Sequence, residues 1–375
     1  MDLSYSEEQL LLKDSVSRFV ARSYEFNRRR DNLHSSLGYS AENWALFAEL
    51  GWLMIPFDEE DGGLGGSAVD LMILMEEFGK GLVVEPFLAT TVLAGGLVAA
   101  LGSDRQKGDY LSPVIDGAMQ LAACYIEPDS RYCLSRVTTK AVRDGGGYVI
   151  SGKKCVVLNG GHAENYLVVA RTSGDSNDQS GISCFIVPNG VSGLSVDNYR
   201  MNDGVPAADL VFTDVRVPES SVLGAIGDGF KALESVVARA TFAACAESVG
   251  IMDELLNKTV EYTKTRKQFG VPISSFQALQ HRMVDMFIAC EQSRSMLLMA
   301  ACELDQGSES SLKAVSATKA RVGQAARLVG QEAVQIHGGI GITDELDISH
   351  YFKRLTSIEN LFGSVDYHVG RYMSA

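Results

Sequence analysis

Two stretches of the chain combine residue types able to hold a phosphorylated ligand. In the first, Tyr262, Arg266, Lys267, Gln268 and Phe269 run into Gly270 and Pro272, with Phe276 and Gln277 close behind. Tyr262 and Arg266 stand four apart and share one helix face, and Gly270 with Pro272 ends that helix. In a chain as acidic as this one, a local basic pair such as Arg266 and Lys267 is where a phosphorylated ligand could find its cations. At a helix C-terminus the same cations can equally do no more than complement the dipole. In the second stretch, Gln335, Ile336 and His337 lead into Gly338, Gly339, Ile340 and Gly341. Adjacent glycines allow close backbone approach, and their N–H groups can cradle a phosphate. The plainer alternative is a glycine cap behind a satisfied histidine.

Composition bounds what surrounds these stretches. A length of 375 residues suits two or three packed domains. With 46% hydrophobic and 21% charged residues, the chain is globular in type. A net charge of −14 speaks against a nucleic-acid partner, which calls for a basic stripe. It also makes a phosphorylated ligand depend on local cations and helix N-termini. Seven cysteines at irregular spacing form neither a CxxC pattern nor a disulfide framework, so no metal is expected. No secretory segment opens the sequence, and apolar stretches such as 87–101 are too short or too glycine-interrupted to span a bilayer. A cytoplasmic protein with no membrane partner is expected.

Three regions differ in periodicity. Residues 1–118 carry apolar positions at helical spacing, among them Leu10, Val16, Phe19, Trp44 and Phe47, with further helical runs at 69–78 and 88–101. Pro56 and the glycine pairs at 62–66 mark a turn. Residues 119–223 change to short strand-like runs at 148–150, 155–158, 166–170, 184–187 and 210–217, separated by glycine-rich breaks. Residues 224–375 return to helix, with segments at 231–264, 275–306 and 311–337. The fold class expected is α+β and multidomain, with an N-terminal helical domain, a middle β-barrel or sandwich, and a C-terminal four-helix bundle.

Taken together, the motifs YxxxRxQFGxP…FQ at 262–277 and QxHGGxG at 335–341 resemble the acyl-CoA dehydrogenase family. The likeness continues through Leu50-Gly51-Trp52, Gly62-Gly63-Leu64-Gly65, Glu76-Glu77-Phe78-Gly79, Gly152-Lys153-Lys154 and Val215-Arg216-Val217-Pro218, in the family's order. The resemblance implies an FAD-dependent oxidoreductase that α,β-desaturates an acyl-CoA, a tetramer with FAD at subunit interfaces, and an electron-transferring flavoprotein as acceptor. It places Arg266, Gln268 and Phe269 at the pyrophosphate and adenine of a neighbouring subunit's FAD. Gln335, Gly338 and Gly339 close over the same cofactor, while Leu158 and Ser364 fall at further flavin positions.

The pattern fails where the family keeps its base. The glutamate of its YEGT-like tetrapeptide is replaced in Leu361-Phe362-Gly363-Ser364 by Phe362. The alternative Glu-Arg pair, counted back from Gly250, falls on Ala240 and Thr241. Glu247 and Asp366 are the remaining candidate carboxylates. The TEPxxGSD-like loop reads Ile126-Glu127-Pro128-Asp129-Ser130-Arg131-Tyr132, and the Trp-Ile-Thr-Asn strand reads Val156-Val157-Leu158-Asn159, so the ring-stacking tryptophan and the threonine hydroxyl are missing. Residues for a neighbour's cofactor persist while those for the chain's own flavin and base are eroded. That asymmetry resembles the small subunits of heteromeric acyl-CoA dehydrogenases, the pimeloyl-CoA dehydrogenase type above all. It implies a second, base-bearing subunit. The alternatives are a homotetramer with a relocated base at Glu247 or Asp366, and a non-catalytic acyl-CoA- or FAD-binding scaffold.

Overall fold

The computed structural model describes residues 4–374. They form two compact units, each drawn from separate stretches of chain. One comprises the chain up to Asp31, Ser67–Val83 and everything from Thr241 on, and the other comprises Asn32–Gly66 and Val84–Ala240.

The first unit is helical. Its helix Glu7–Ser23 begins with a capping box between Ser6 and Gln9, and Ala68–Gly81 begins with another between Ser67 and Asp70. Each box satisfies two backbone donors that a helix start would leave orphaned. Four long helices follow: Phe230–Thr265, of which the part from Thr241 belongs here, then Gln277–Asp305, Ser311–His337 and Asp347–Asn360. A short helix, Val365–Ser374, comes last. Ser311–His337 packs against the helices before and after it, and its buried face is mostly alanine, valine and glycine. Small side chains there let neighbouring backbones approach.

Helices Ala68–Gly81 and Phe230–Thr265 cross closer still. A methyl group on Gly79 would stand 2.1 Å from the carbonyl oxygen of Glu247, and one on Gly250 would stand 1.9 Å from that of Glu76. Each helix therefore presents a glycine to the other's backbone. Beside the crossing, Arg294 reaches the Glu76 carboxylate at 2.7 Å and pairs with Asp253, so cations meet the acidic groups that the packing buries.

The second unit combines helices with an eight-stranded sheet. Its strands are β1 (Leu121–Cys124), β2 (Lys140–Asp144), β3 (Gly147–Leu158), β4 (Asn165–Arg171), β5 (Ile182–Pro188), β6 (Leu194–Arg200), β7 (Pro206–Pro218) and β8 (Val222–Leu223). The order is β6-β7-β3-β2-β4-β5-β8, with β1 also paired to β4. Ile150, Tyr166, Val168, Phe185, Leu210 and Val215 fill the core. The runs at 148–150 and 155–158 are two ends of one strand, β3. Register shifts against β7 between Ile150 and Gly152, and between Lys154 and Val157, interrupt its alternation and hide its continuity from a period-two reading. β1 is buried throughout and β6 is largely exposed, so neither alternates. The helical run at 88–101 starts as a π-helix, Phe87–Gly95, with every residue buried, and continues as Gly96–Leu101.

Helix Phe230–Thr265 is long and apolar enough to cross a bilayer, but 89% of its most apolar window is buried in the protein.

Candidate functional site

The two phosphate-compatible stretches meet in the helical unit. Helix Phe230–Thr265 ends just before Arg266, and the chain then forms a hairpin of Lys267–Gln268 against Val271–Pro272. Phe269 and Gly270 at its tip have φ of 54° and 83°, both positive as a tight type I′ turn requires. The Tyr262 ring stacks on His337 with centroids 4.3 Å apart, and the Tyr262 hydroxyl donates to the His337 carbonyl at 3.3 Å. His337 in turn places Nδ1 2.8 Å from the Ala333 carbonyl, and burial lowers its pKa. The histidine is thus a neutral strut joining the motifs, which answers the question its sequence context left open.

What this strut presents is an exposed surface. Arg266, Gln268, Gln335, Gly338 and Gly339 are all exposed, and the Phe269 ring is 92% exposed. The Phe269 ring meets Phe276 edge-on, with centroids 6.1 Å apart, and otherwise leaves its face open. Gly338 has φ +72°, but a methyl group on Gly338 or Gly339 would meet nothing within 4 Å. Internal packing does not demand glycine at 339, whereas close approach of an outside group would. A guanidinium, amides, an aromatic face and bare backbone N–H groups fit a dinucleotide such as FAD.

The turn at 361–364 is built differently. Phe362 is buried with φ +63°, a conformation costly for a residue with a Cβ. Gly363 follows at φ +130°, and a methyl there would stand 2.5 Å from both His368 Nε2 and Tyr367 Cδ1. Ser364 accepts from the Tyr367 N–H at 3.4 Å, at the start of helix Val365–Ser374. Of the candidate carboxylates, Asp366 is exposed in the first turn of that helix. Glu247 is 4% exposed, and both its oxygens are held by Arg354, at 2.6 Å from Nε and 2.8 Å from Nη2. With both oxygens occupied by one guanidinium, this carboxylate has no free oxygen turned toward a ligand. Ala240 and Thr241 are buried and carry no carboxylate. The arginine nearest this pair is Arg239, and a register set on it pairs Arg239 with Ala238, again without a carboxylate.

In the second unit, the loop at 126–132 is fastened from below. Glu127 accepts from Lys154 Nζ at 2.7 Å and from the Thr138 and Thr139 N–H groups at 2.8 and 3.0 Å. Burial alone would raise its pKa, but the Lys154 ammonium and these hydrogen bonds bring it down to about 2. Val156 sits in the irregular part of β3 with φ +51°, its N–H held by Asp209 at 3.0 Å. For a β-branched residue this is a strained conformation. Leu158 faces the same strand end and pairs with Ala207. It supplies no polar atom.

Sequence reasoning missed Arg354, His368 and Lys319, which fix the conformations just described. Lys319 had a signal: it falls on the stripe Val315, Lys319, Val322, Ala326, whose other members are apolar and which is buried throughout. A charged residue at a core position announces a specific partner. Among the described residues no group of His, Cys, Asp or Glu is arranged to hold a metal. A cleft of about 580 Å³ in the helical unit contains Lys80 and Lys258, but Glu77 pairs with the first, and Glu254 and Asp347 with the second. These pairs leave little net charge for a ligand.

Comparison with known proteins gives three successive matches, to the acyl-CoA dehydrogenase N-terminal domain over residues 6–118, the middle domain over 122–215 and the C-terminal domain over 227–373. A probable acyl-CoA dehydrogenase of Bacillus subtilis is 30% identical over 358 residues, covering 94% of this chain and 93% of that protein. The solved butyryl-CoA dehydrogenase of Megasphaera elsdenii superposes with a TM-score of 0.91 at 26% identity, over 100% of this chain and 99% of that one. The FAD complex of PigA superposes with a TM-score of 0.92 at 26% identity, over 100% and 98%.

Proposed function

Because the chain belongs to the acyl-CoA dehydrogenase family, FAD-dependent oxidoreductases acting on CH–CH bonds, we propose that it works as one subunit of a heteromeric enzyme. A partner subunit supplies the base, and the reaction is α,β-desaturation of an acyl-CoA. The subunit is of the pimeloyl-CoA dehydrogenase small-subunit type. What supports this reading is that Phe362, which the motif aligns with the family's base, is buried, and that Arg354 holds Glu247.

Desaturation removes a proton from the α-carbon and a hydride from the β-carbon. Bound FAD supplies the hydride acceptor. Arg266 and Gln268 would hold its pyrophosphate, Phe269 would cover the adenine, and Gln335 with the backbone at Gly338 and Gly339 would close the cradle. These groups face outward, so they serve a neighbouring subunit's cofactor. By resemblance Leu158 and Ser364 each stand at a flavin position of the family, and the threonine hydroxyl and the stacking tryptophan are missing from the strand 156–159. The thioester carbonyl would accept from the backbone N–H of Phe362, a contact that needs no side chain. General-base catalysis is worth roughly 10²- to 10⁴-fold, so its absence separates binding from turnover. The electron acceptor would be an electron-transferring flavoprotein.

The test is anaerobic bleaching of the flavin by a panel of acyl-CoAs. The chain alone should bleach slowly or not at all, and the complex with a glutamate-bearing homologue should bleach fast. Fast bleaching by the chain alone, abolished in Glu247→Gln or Asp366→Asn, would mean a complete homomeric enzyme with a relocated base. A chain that never binds flavin in any assembly would mean a scaffold.

A further inference from the structure

Two side chains outside the family motifs hold the 361–364 turn by its carbonyls. Lys319 is 1% exposed, and its Nζ donates to the carbonyls of Ile358 at 3.0 Å, Glu359 at 2.9 Å and Gly363 at 2.9 Å. An ammonium has three protons, and each of these is spent on a backbone oxygen. His368 donates from Nε2 to the Phe362 carbonyl at 3.1 Å, which leaves Nδ1 as a buried lone pair without a partner. The close seat of His368 against Gly363 requires glycine there.

These contacts dictate where the turn's donors point. Across a trans peptide the C=O and the following N–H lie on opposite sides. Drawing the Phe362 carbonyl onto His368 turns the Gly363 N–H away from the histidine, and drawing the Gly363 carbonyl onto Lys319 does the same for the Ser364 N–H. Among the described residues, the N–H groups of Phe362, Gly363 and Ser364 have no hydrogen-bond acceptor, although Phe362 and Gly363 are buried, and the last two are the donors that the held carbonyls orient. Buried donors without acceptors are rare because they lose water and gain nothing. A pair of them in a turn whose carbonyls are pulled back is a preformed site for an external oxygen.

We propose that Lys319 and His368 are positioning residues for the substrate, clamping the turn so that its N–H groups meet the thioester carbonyl of an acyl-CoA. This rests on the acyl-CoA reading above and adds the device that keeps the contact available where the carboxylate is gone. The groups facing the Lys319 ammonium are Cys245 from Phe230–Thr265, Glu359 from Asp347–Asn360 and His368 from Val365–Ser374. Burial brings the lysine down to about 8. Burial, then the lysine's charge, brings His368 down to about 4, so the histidine is neutral wherever the clamp operates near neutrality.

The test compares two ligands on the full chain in its native assembly: a saturated acyl-CoA, and the thioether analogue in which a methylene replaces the carbonyl. Isothermal titration of wild type should favour the thioester by about 3- to 10-fold, the worth of one hydrogen bond. Lys319→Met should lose that preference at unchanged thioether affinity. In wild type the preference should fall as pH rises past about 8, where the ammonium loses its proton. A lysine that only capped helix Asp347–Asn360 would change stability but leave the ratio alone. A folded Lys319→Met protein that keeps the preference overturns the clamp and leaves the acyl-CoA reading intact. Should that variant not fold, a wild-type ratio that stays flat across the lysine's titration overturns it equally. Failure of wild type to bind either ligand overturns the acyl-CoA reading, and the clamp with it.

Discussion

Replacing Glu247 with glutamine asks whether this carboxylate is structural or catalytic. The side chain is 5% exposed, and Arg354, itself largely buried, takes both of its oxygens at 2.6 and 2.8 Å. Removing one partner of a buried pair leaves the other charge without compensation, at a cost of about 3–5 kcal/mol. Glutamine keeps one acceptor oxygen, so the lower end applies, about 3 kcal/mol. In a multidomain oligomer a single unfolding transition is not a clean measure, so the readout is amide hydrogen exchange in helices Phe230–Thr265 and Asp347–Asn360. A loss of that size lowers protection there by roughly two orders of magnitude. The double variant Glu247→Gln, Arg354→Met should recover part of it, since a pair removed together leaves no stranded charge. Unchanged protection in Glu247→Gln, together with loss of acyl-CoA-dependent flavin reduction by the chain alone, would refute the reasoning and make Glu247 the base.

Arg266→Ala should lower flavin occupancy at unchanged oligomeric state, because it removes the cation proposed to meet the pyrophosphate; full retention of FAD would refute that role. For Glu127, the folded pKa of about 2 lies below the ordinary carboxylate value of 4.5. Its contribution is therefore complete above about pH 4.5 and disappears as pH falls toward 2, to the extent of about 3 kcal/mol by linkage. Glu127→Gln should be less stable near neutrality, with Lys154 left buried and unpaired, and its denaturant midpoint should fall less steeply on acidification. A wild-type slope in the variant would refute the assignment.

How legible the molecule was depends on what each feature costs to write in sequence. The long helices at 231–264, 275–306 and 311–337 stand within one or two residues of Phe230–Thr265, Gln277–Asp305 and Ser311–His337, because continuous helical spacing with good helix formers leaves few alternatives. The strands were harder. β3 was split in two because its irregularities break alternation, and β6 was invisible because exposed polar residues carry no period. The candidate site residues followed the same division. Arg266, Gln335 and the glycines belong to short motifs, and Tyr262 with His337 joins them in space. Arg354 reaches Glu247 from 107 residues away, and Lys319 reaches Gly363 from 44. Nothing local signals such pairings, since the tertiary fold creates them.

The reciprocal glycines at 79 and 250 bear on how such a protein can change. With each backbone notched into the other, the two helices are keyed like gear teeth, and neither can slide or roll without an oxygen meeting a Cα at once. Glu247 supplies one of those oxygens from its own carbonyl, one turn before Gly250, so its side chain departs from a point that cannot wander. A lineage seeking a new base at this position could not obtain it by gradual rotation of the helix. It would have to remake the crossing and the Arg354 contact together, and no single substitution does both. A base borrowed from another subunit, as proposed above, leaves the keyed helices untouched. Here the geometry of a helix crossing weighs on whether catalysis is rebuilt within the chain or shared across an assembly.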